Sequence, residues 1–180
     1  MAGRRLTADV DGSVVVFVIG MRVNAYWKLH RWLPVAVAMP RMLRELDADP
    51  DSGLLGSEGA FSPPRTLLLL QYWESVEALR EYARSLEGEH LPAWVEYNRE
   101  TAGTGDVGVF HETYVVDDGD HESVYVDLPA FGLARATDAR PAEGERETAA
   151  GRLGRTDGED AAVTPDGEVV ASDGGPAGRR

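Results

Sequence analysis

The chain has 180 residues with 18 basic and 31 acidic side chains, a formal net charge of −13, and no cysteine. Disulfides, thiolate nucleophiles and Cys-ligated metal sites are therefore excluded, and the acid excess works against nucleic acid, whose affinity comes mainly from neutralising phosphates. No apolar run approaches the roughly 18–20 residues that cross a bilayer, and MAGRRLTADVDG lacks the apolar stretch of a signal peptide, so no membrane role and a cytoplasmic location are expected.

Residues 1–9 read as a flexible N-terminus. SVVVFVIGMRV (13–23) is a near-continuous apolar run of strand length, the mark of a strand covered on both faces. A helix follows, with Met39, Met42, Leu43 and Leu46 at three- and four-residue spacing. Its prolines place the start near Pro34, a kink near Pro40 and the stop before Pro50. Residues 53–61 and 66–73 (TLLLLQYW) read as two strands joined across Ser62, Pro63 and Pro64. Ser75 then sits as a cap before an amphipathic helix whose stripe is Val76, Leu79, Ala83 and Leu86. A second helical piece runs from about 91 to 100, and VGVFHETYVV (107–116) is a strand, followed by the short extended segment SVYVDLP.

From 138 to 180 there is no Phe, Trp or Tyr and eight of the 43 residues are glycine, so this stretch is expected to be a disordered acidic tail. The folded domain is then 10–137. Its order, β-α-β-β-α-β, is the ferredoxin-like pattern, an α+β fold with helices on one face of an antiparallel sheet. The first and third strands are apolar on both alternations, so the second sheet face needs a cover. The expected cover is a second copy, a homodimer closing into a dimeric α/β barrel. Lys28 is the only lysine beside 17 arginines; with the carboxylate excess, this composition reads as adaptation to high salt.

Familiar chemical motifs are missing. There is no phosphate-binding P-loop, Gly53, Gly56 and Gly59 lead into a strand instead of a helix, and neither His111-Glu112 nor His121-Glu122 has a second histidine at zinc-protease spacing. No metal and no cofactor are expected.

As a set, AYWKLHRWLPV (25–35), RMLRELDADPDSGLLG (41–56), LLLLQYWESVEALREYAR (67–84), HLPAWVEYNRE (90–100), VGVFHETYVV (107–116) and ESVYVDLPAFGLARA (122–136) resemble a monooxygenase-like family that includes a fungal monooxygenase of the fumagillin pathway. The family is similar in turn to the antibiotic-biosynthesis monooxygenases. The resemblance implies a dimeric α/β barrel, and a cofactor-independent monooxygenase acting on an apolar, aromatic or polyketide-like small molecule in the barrel cavity.

Strand 107–116 then carries the first candidates. Val109, His111, Thr113 and Val115 share one face; Phe110, Glu112, Tyr114 and Val116 share the other. Either His111 or Glu112 projects a titratable group into apolar space, which suits a general base, or else ties a helix to the sheet. His90, Trp94, Tyr97 and Asn98 are read as a pocket mouth, and Tyr72, Trp73 and Tyr125 as walls. Gln71, on an otherwise apolar strand face, needs a polar partner if buried. Trp27 and Trp32 flank Lys28, His30 and Arg31, either an entrance for an anionic group or a solvated charge cluster. Two other readings stay open: a small-molecule-binding barrel without turnover, and haem held by His90 or His111.

Overall fold

The computed structural model describes residues 4–85, 88 and 90–154, with the backbone of 162–163 and 169–170. In chain order the elements are β1 (Arg5–Asp9), β2 (Val14–Val23), α1 (Leu29–Ala48), β3 (Leu54–Ser62), β4 (Thr66–Trp73), α2 (Val76–Arg84), α3 (His90–Glu100) and β5 (Val107–Val116). They continue with β6 (Tyr125–Val126), α4 (Leu133–Ala136), β7 (Asp138–Pro141), α5 (Ala149–Arg152), β8 (Ala162–Val163) and β9 (Val169–Val170). The chain divides into two units, Ser13–Val116 and a second made of Met1–Gly12 with Asp117–Arg180.

The larger unit is an antiparallel sheet in the order β3-β4-β2-β5 with three helices, the ferredoxin-like α+β arrangement expected. The central strand β2 sets two faces. Ile19 stands opposite Leu69 and His111, and Phe17 opposite Gln71 and Thr113; on the other face Val18 stands opposite Leu70 and Glu112, and Val16 opposite Tyr72 and Tyr114. Because side chains alternate along a strand, these rows fix which residues can meet.

The first face is packed at its two ends. At one, Val15, Leu46, Trp73 and Leu79 form a buried cluster, joined by Phe17, Leu54, Val76 and Tyr82. At the other, Met21, Val23 and Val107 are buried against Trp32, Val35, Ala36 and Tyr97. Helix α1 reaches from one cluster to the other, and of its residues only Leu46 is buried. The helix begins at Leu29, five residues before the expected start, and runs through both prolines. Its first turn is held from outside: the Trp32 indole N–H donates to the Tyr26 carbonyl at 3.1 Å, and the Lys28 Nζ meets both Asp106 carboxylate oxygens at 2.9 Å. Packing of Trp32 and Val35 thus outweighs the one helical hydrogen bond that Pro34 removes. Lys28 is committed to this clip and does not belong to a free basic entrance.

Helix α2 starts as its sequence requires, with the Ser75 hydroxyl accepting from the Ala78 N–H at 3.1 Å. Leu86 of the expected stripe lies outside the described residues. Gly53 has φ +73°, and a Cβ there would come within 2.6 Å of the Ala78 Cβ, so only glycine lets β3 begin this close to α2.

In the second unit β1 pairs with both β6 and β7, in the order β6-β1-β7. Residues 5–9, expected as a flexible N-terminus, are thus the middle strand of a small sheet. Elements also continue past the expected boundary at 137: Arg140 of β7 pairs with Asp9, a 3-10 turn follows at Gly144–Glu147, and Thr148 caps α5 through the Gly151 N–H at 3.0 Å. Of the expected tail beyond residue 154, only the antiparallel pairing of β8 with β9 is described. Among the described residues no helix is long and apolar enough to cross a membrane.

Candidate functional site

Between its packed ends the helix layer stands away from the sheet and leaves a cavity of about 1420 Å³. That exceeds the few hundred to about 1,000 Å³ typical of small-molecule sites. The sheet supplies Phe17, Ile19, Leu69 and His111; α1 supplies Val35, Ala38, Met39 and Met42; α3 supplies His90, Trp94 and Tyr97. Most of these atoms are apolar because the first sheet face and the inner stripe of α1 are the surfaces that the apolar pattern had to hide. Polar groups gather at the margins, with His30, Arg31 and Glu100 near the start of α1. There Arg31 lies 3.9 Å from Glu100, which pairs more closely with Arg99 at 2.8 Å.

The expected residues separate cleanly. His111 lines the cavity, its ring 5.7 Å from that of Phe17. Glu112 does not, because it is the next residue on an extended strand and points to the opposite sheet face. There it accepts a hydrogen bond from the Tyr114 hydroxyl at 2.6 Å, and this bond with the carboxylate charge holds the Tyr114 proton above the ordinary phenol range. Tyr72 is buried on that opposite face as well. Trp73 is 0% exposed in the core cluster and is a packing residue, not a wall. Tyr125 lies in the second unit, where its hydroxyl oxygen accepts from the Ala134 N–H at 3.3 Å. Asn98 turns back onto its own helix, donating to the Trp94 carbonyl at 2.8 Å.

His90, Trp94 and Tyr97 do line the cavity. Trp94 and Tyr97 stack at 5.5 Å, and the Tyr97 hydroxyl donates to the Val107 carbonyl at 3.3 Å, fixing that wall. Gln71 lines a narrow extension of about 40 Å³ that shares Phe17, Ile19, Met39, Leu69 and His90 with the main hollow. It is 6% exposed, and its partner is Trp73, whose indole N–H donates to Gln71 Oε1 at 3.1 Å. The sequence reading missed Tyr82, which also lines the extension, its ring centroid 5.9 Å from those of both Trp73 and His90. The signal was present: Tyr82 falls three residues after Leu79, on the same side of α2.

The proton affinity of His90 departs from the ordinary value. Burial disfavours its charged form and lowers its pKa, partly opposed by a hydrogen bond to the Ala83 carbonyl. Its Nδ1 is buried without a hydrogen-bond partner among the described residues. Three of the four histidines, His30, His90 and His111, line the cavity, yet no group of three or more potential metal ligands gathers among the described residues.

The sequence profile of the Monooxygenase af470-like family matches residues 14–133. The chain belongs to that family. Monooxygenase af470 of Aspergillus fumigatus is 32% identical to it over 142 residues, covering 69% of this chain and 46% of the relative, so the chain spans about half the length of that curated protein. Among solved structures, an aldoxime dehydratase in complex with butyraldoxime overlays with a TM-score of 0.55 at 17% identity, over 77% of this chain and 38% of that one, a likeness of fold alone. The cofactor-independent oxygenase SnoaB of Streptomyces nogalater is 12% identical with a TM-score of 0.41, over 57% of this chain and 91% of that one; an overlay that loose carries no argument.

Proposed function

We propose that the protein is a cofactor-independent monooxygenase acting on an apolar, aromatic or polyketide-like small molecule. Family membership supports the reaction class, and one observation carries the rest: the hollow between sheet and helices, apolar through its middle and touched by the imidazoles of His90 and His111. Such a space suits a substrate whose activated CH₂ group loses a proton to an imidazole. The carbanion then adds dioxygen, the peroxide takes the proton back, and loss of water leaves a carbonyl, so CH₂ and O₂ become C=O and H₂O. The apolar walls keep bulk water from the side of the carbanion that they cover. Glu112 has no part in this step, since it faces the other side of the sheet.

The test is oxygen uptake with dithranol, an electron-rich anthrone, without added flavin or metal. Uptake is expected from the native chain and from Glu112→Gln, with at least a hundredfold loss in the double variant His90→Asn/His111→Ala. Uptake that survives in the double variant removes the imidazole base; a Soret band in the purified protein replaces the reading with haem binding through one of these histidines.

The partner we assign is a second copy. The sheet face carrying Leu68 and Leu70 also presents Phe110 and Tyr114, 39% and 51% exposed, an apolar stretch of the kind that costs free energy in water. Size-exclusion chromatography with light scattering is expected to return twice the chain mass, and a monomer at micromolar concentration overturns the assignment.

A further inference from the structure

The hollow is not uniform along its length, and its narrow extension differs from the rest. Elsewhere the middle of the cavity is walled mostly by aliphatic and aromatic carbon, with His111 and Thr113 as polar side chains on the sheet. The extension of about 40 Å³ alone brings together an amide, a phenol and an imidazole, from Gln71, Tyr82 and His90. It is large enough for one small polar group.

Two features make this end prepared for a ligand. The Trp73 indole can only donate, and it is 0% exposed, so the oxygen of Gln71 must stay turned toward it. That bond fixes the amide orientation and makes Nε2, with its two N–H groups, the atom Gln71 offers to other partners. His90 stands with its ring 5.9 Å from that of Tyr82, and its Nδ1 is buried with no hydrogen-bond partner among the described residues. A neutral imidazole that donates through one nitrogen keeps a lone pair on the other. Donor and proton acceptor thus stand at the same small space, whereas His111 stands against the Phe17 ring.

We propose that the reacting end of the substrate, a phenol or the enol form of a ketone, seats in this extension, with Gln71 Nε2 holding its oxygen and His90 Nδ1 taking its proton. The apolar remainder of the molecule lies in the wide part of the hollow. The O–H bond breaks, its electron pair stays on the substrate oxygen as an oxyanion bound by the Gln71 N–H, and the imidazole becomes an imidazolium. His111 is then a wall residue. This assignment rests on the oxygenase reading for its chemistry but can be tested without turnover.

The probe is 2-naphthol, whose absorbance separates phenol from phenolate. In the presence of saturating protein its ionisation is expected at least one pH unit below that of the free compound. His90→Asn removes the shift, as does Gln71→Glu, which keeps an acceptor for Trp73 while losing the donors. Glu112→Gln, on the opposite sheet face, leaves it in place. His90 lies at a half-exposed helix start, so its variant remains informative if the Gln71 variant fails to fold. Bound 2-naphthol that ionises like the free compound, or a shift that survives His90→Asn, overturns the assignment. A shift without any oxygen uptake from dithranol upholds the narrow end and removes the oxygenase; uptake lost in His111→Ala but kept in His90→Asn does the reverse.

Discussion

The two ends of the helix–sheet layer and the space between them are built from the same kinds of residue, yet they do opposite things. At the ends, Val15, Trp73 and Leu46, or Val23 and Val107, are buried in packed clusters. In the middle, Phe17, Ile19, Met39 and Met42 face each other across a hollow. What differs is the geometry of α1, which is pinned at both ends and carries prolines at 34 and 40. Each proline deletes a backbone donor and resists regular helix packing. The clusters at the ends hold α1 to the sheet and the hollow lies between them, so the stability of the unit resides at the ends and its binding capacity in the middle.

The largest effect that tests this division is a matched pair of truncations on one helix. Leu46 is 3% exposed inside the first cluster, and Leu46→Ala is expected to cost about 2–5 kcal/mol by removing well-packed atoms and leaving a void. Met39 is half-buried and borders the hollow, so Met39→Ala is expected to cost roughly 1 kcal/mol, its partial transfer from water. Urea denaturation of the two variants measures both. Equal costs would mean that the middle is packed as tightly as the ends.

The strands and the alternation of their faces were legible in the amino-acid order. Strands 66–73 and 107–116 occur where the apolar runs lie, and period two alone puts His111 and Glu112 on opposite sides. Period two also places Gln71 beside Trp73, two residues apart on one face, so the partner of that amide could have been read directly. Which face meets the helices could not, since both alternations are apolar and only the crossover through α1 decides it. Strand β1 was hidden for a different reason: its partners are residues 125–126 and 138–141, more than a hundred positions away, and pairing at that distance leaves no local pattern. The start of α1 was misplaced because proline is a local signal, while the Lys28–Asp106 clip that overrides it spans 78 positions.

The smallest effect concerns pH and isolates the His90 imidazole. Burial lowers the pKa of His90 in the folded chain below the 6.5 of an unperturbed histidine. The unfolded chain therefore binds a proton more readily than the folded one, and the neutral ring contributes stability that is complete above pH 6.5. As pH falls through that value toward the lower folded pKa, this contribution is lost. Because the ring is only half-buried, solvent screens the effect, and a change of a few degrees in Tm is the scale to look for. His90→Asn carries no such linkage, so its melting temperature is expected to fall less than that of the native chain between pH 7.5 and 5.5. Carboxylates elsewhere titrate alike in both proteins and cancel from the difference. Parallel pH profiles would mean that His90 is as well hydrated as a surface histidine, and the narrow end of the hollow would then be open to water instead of shut against it.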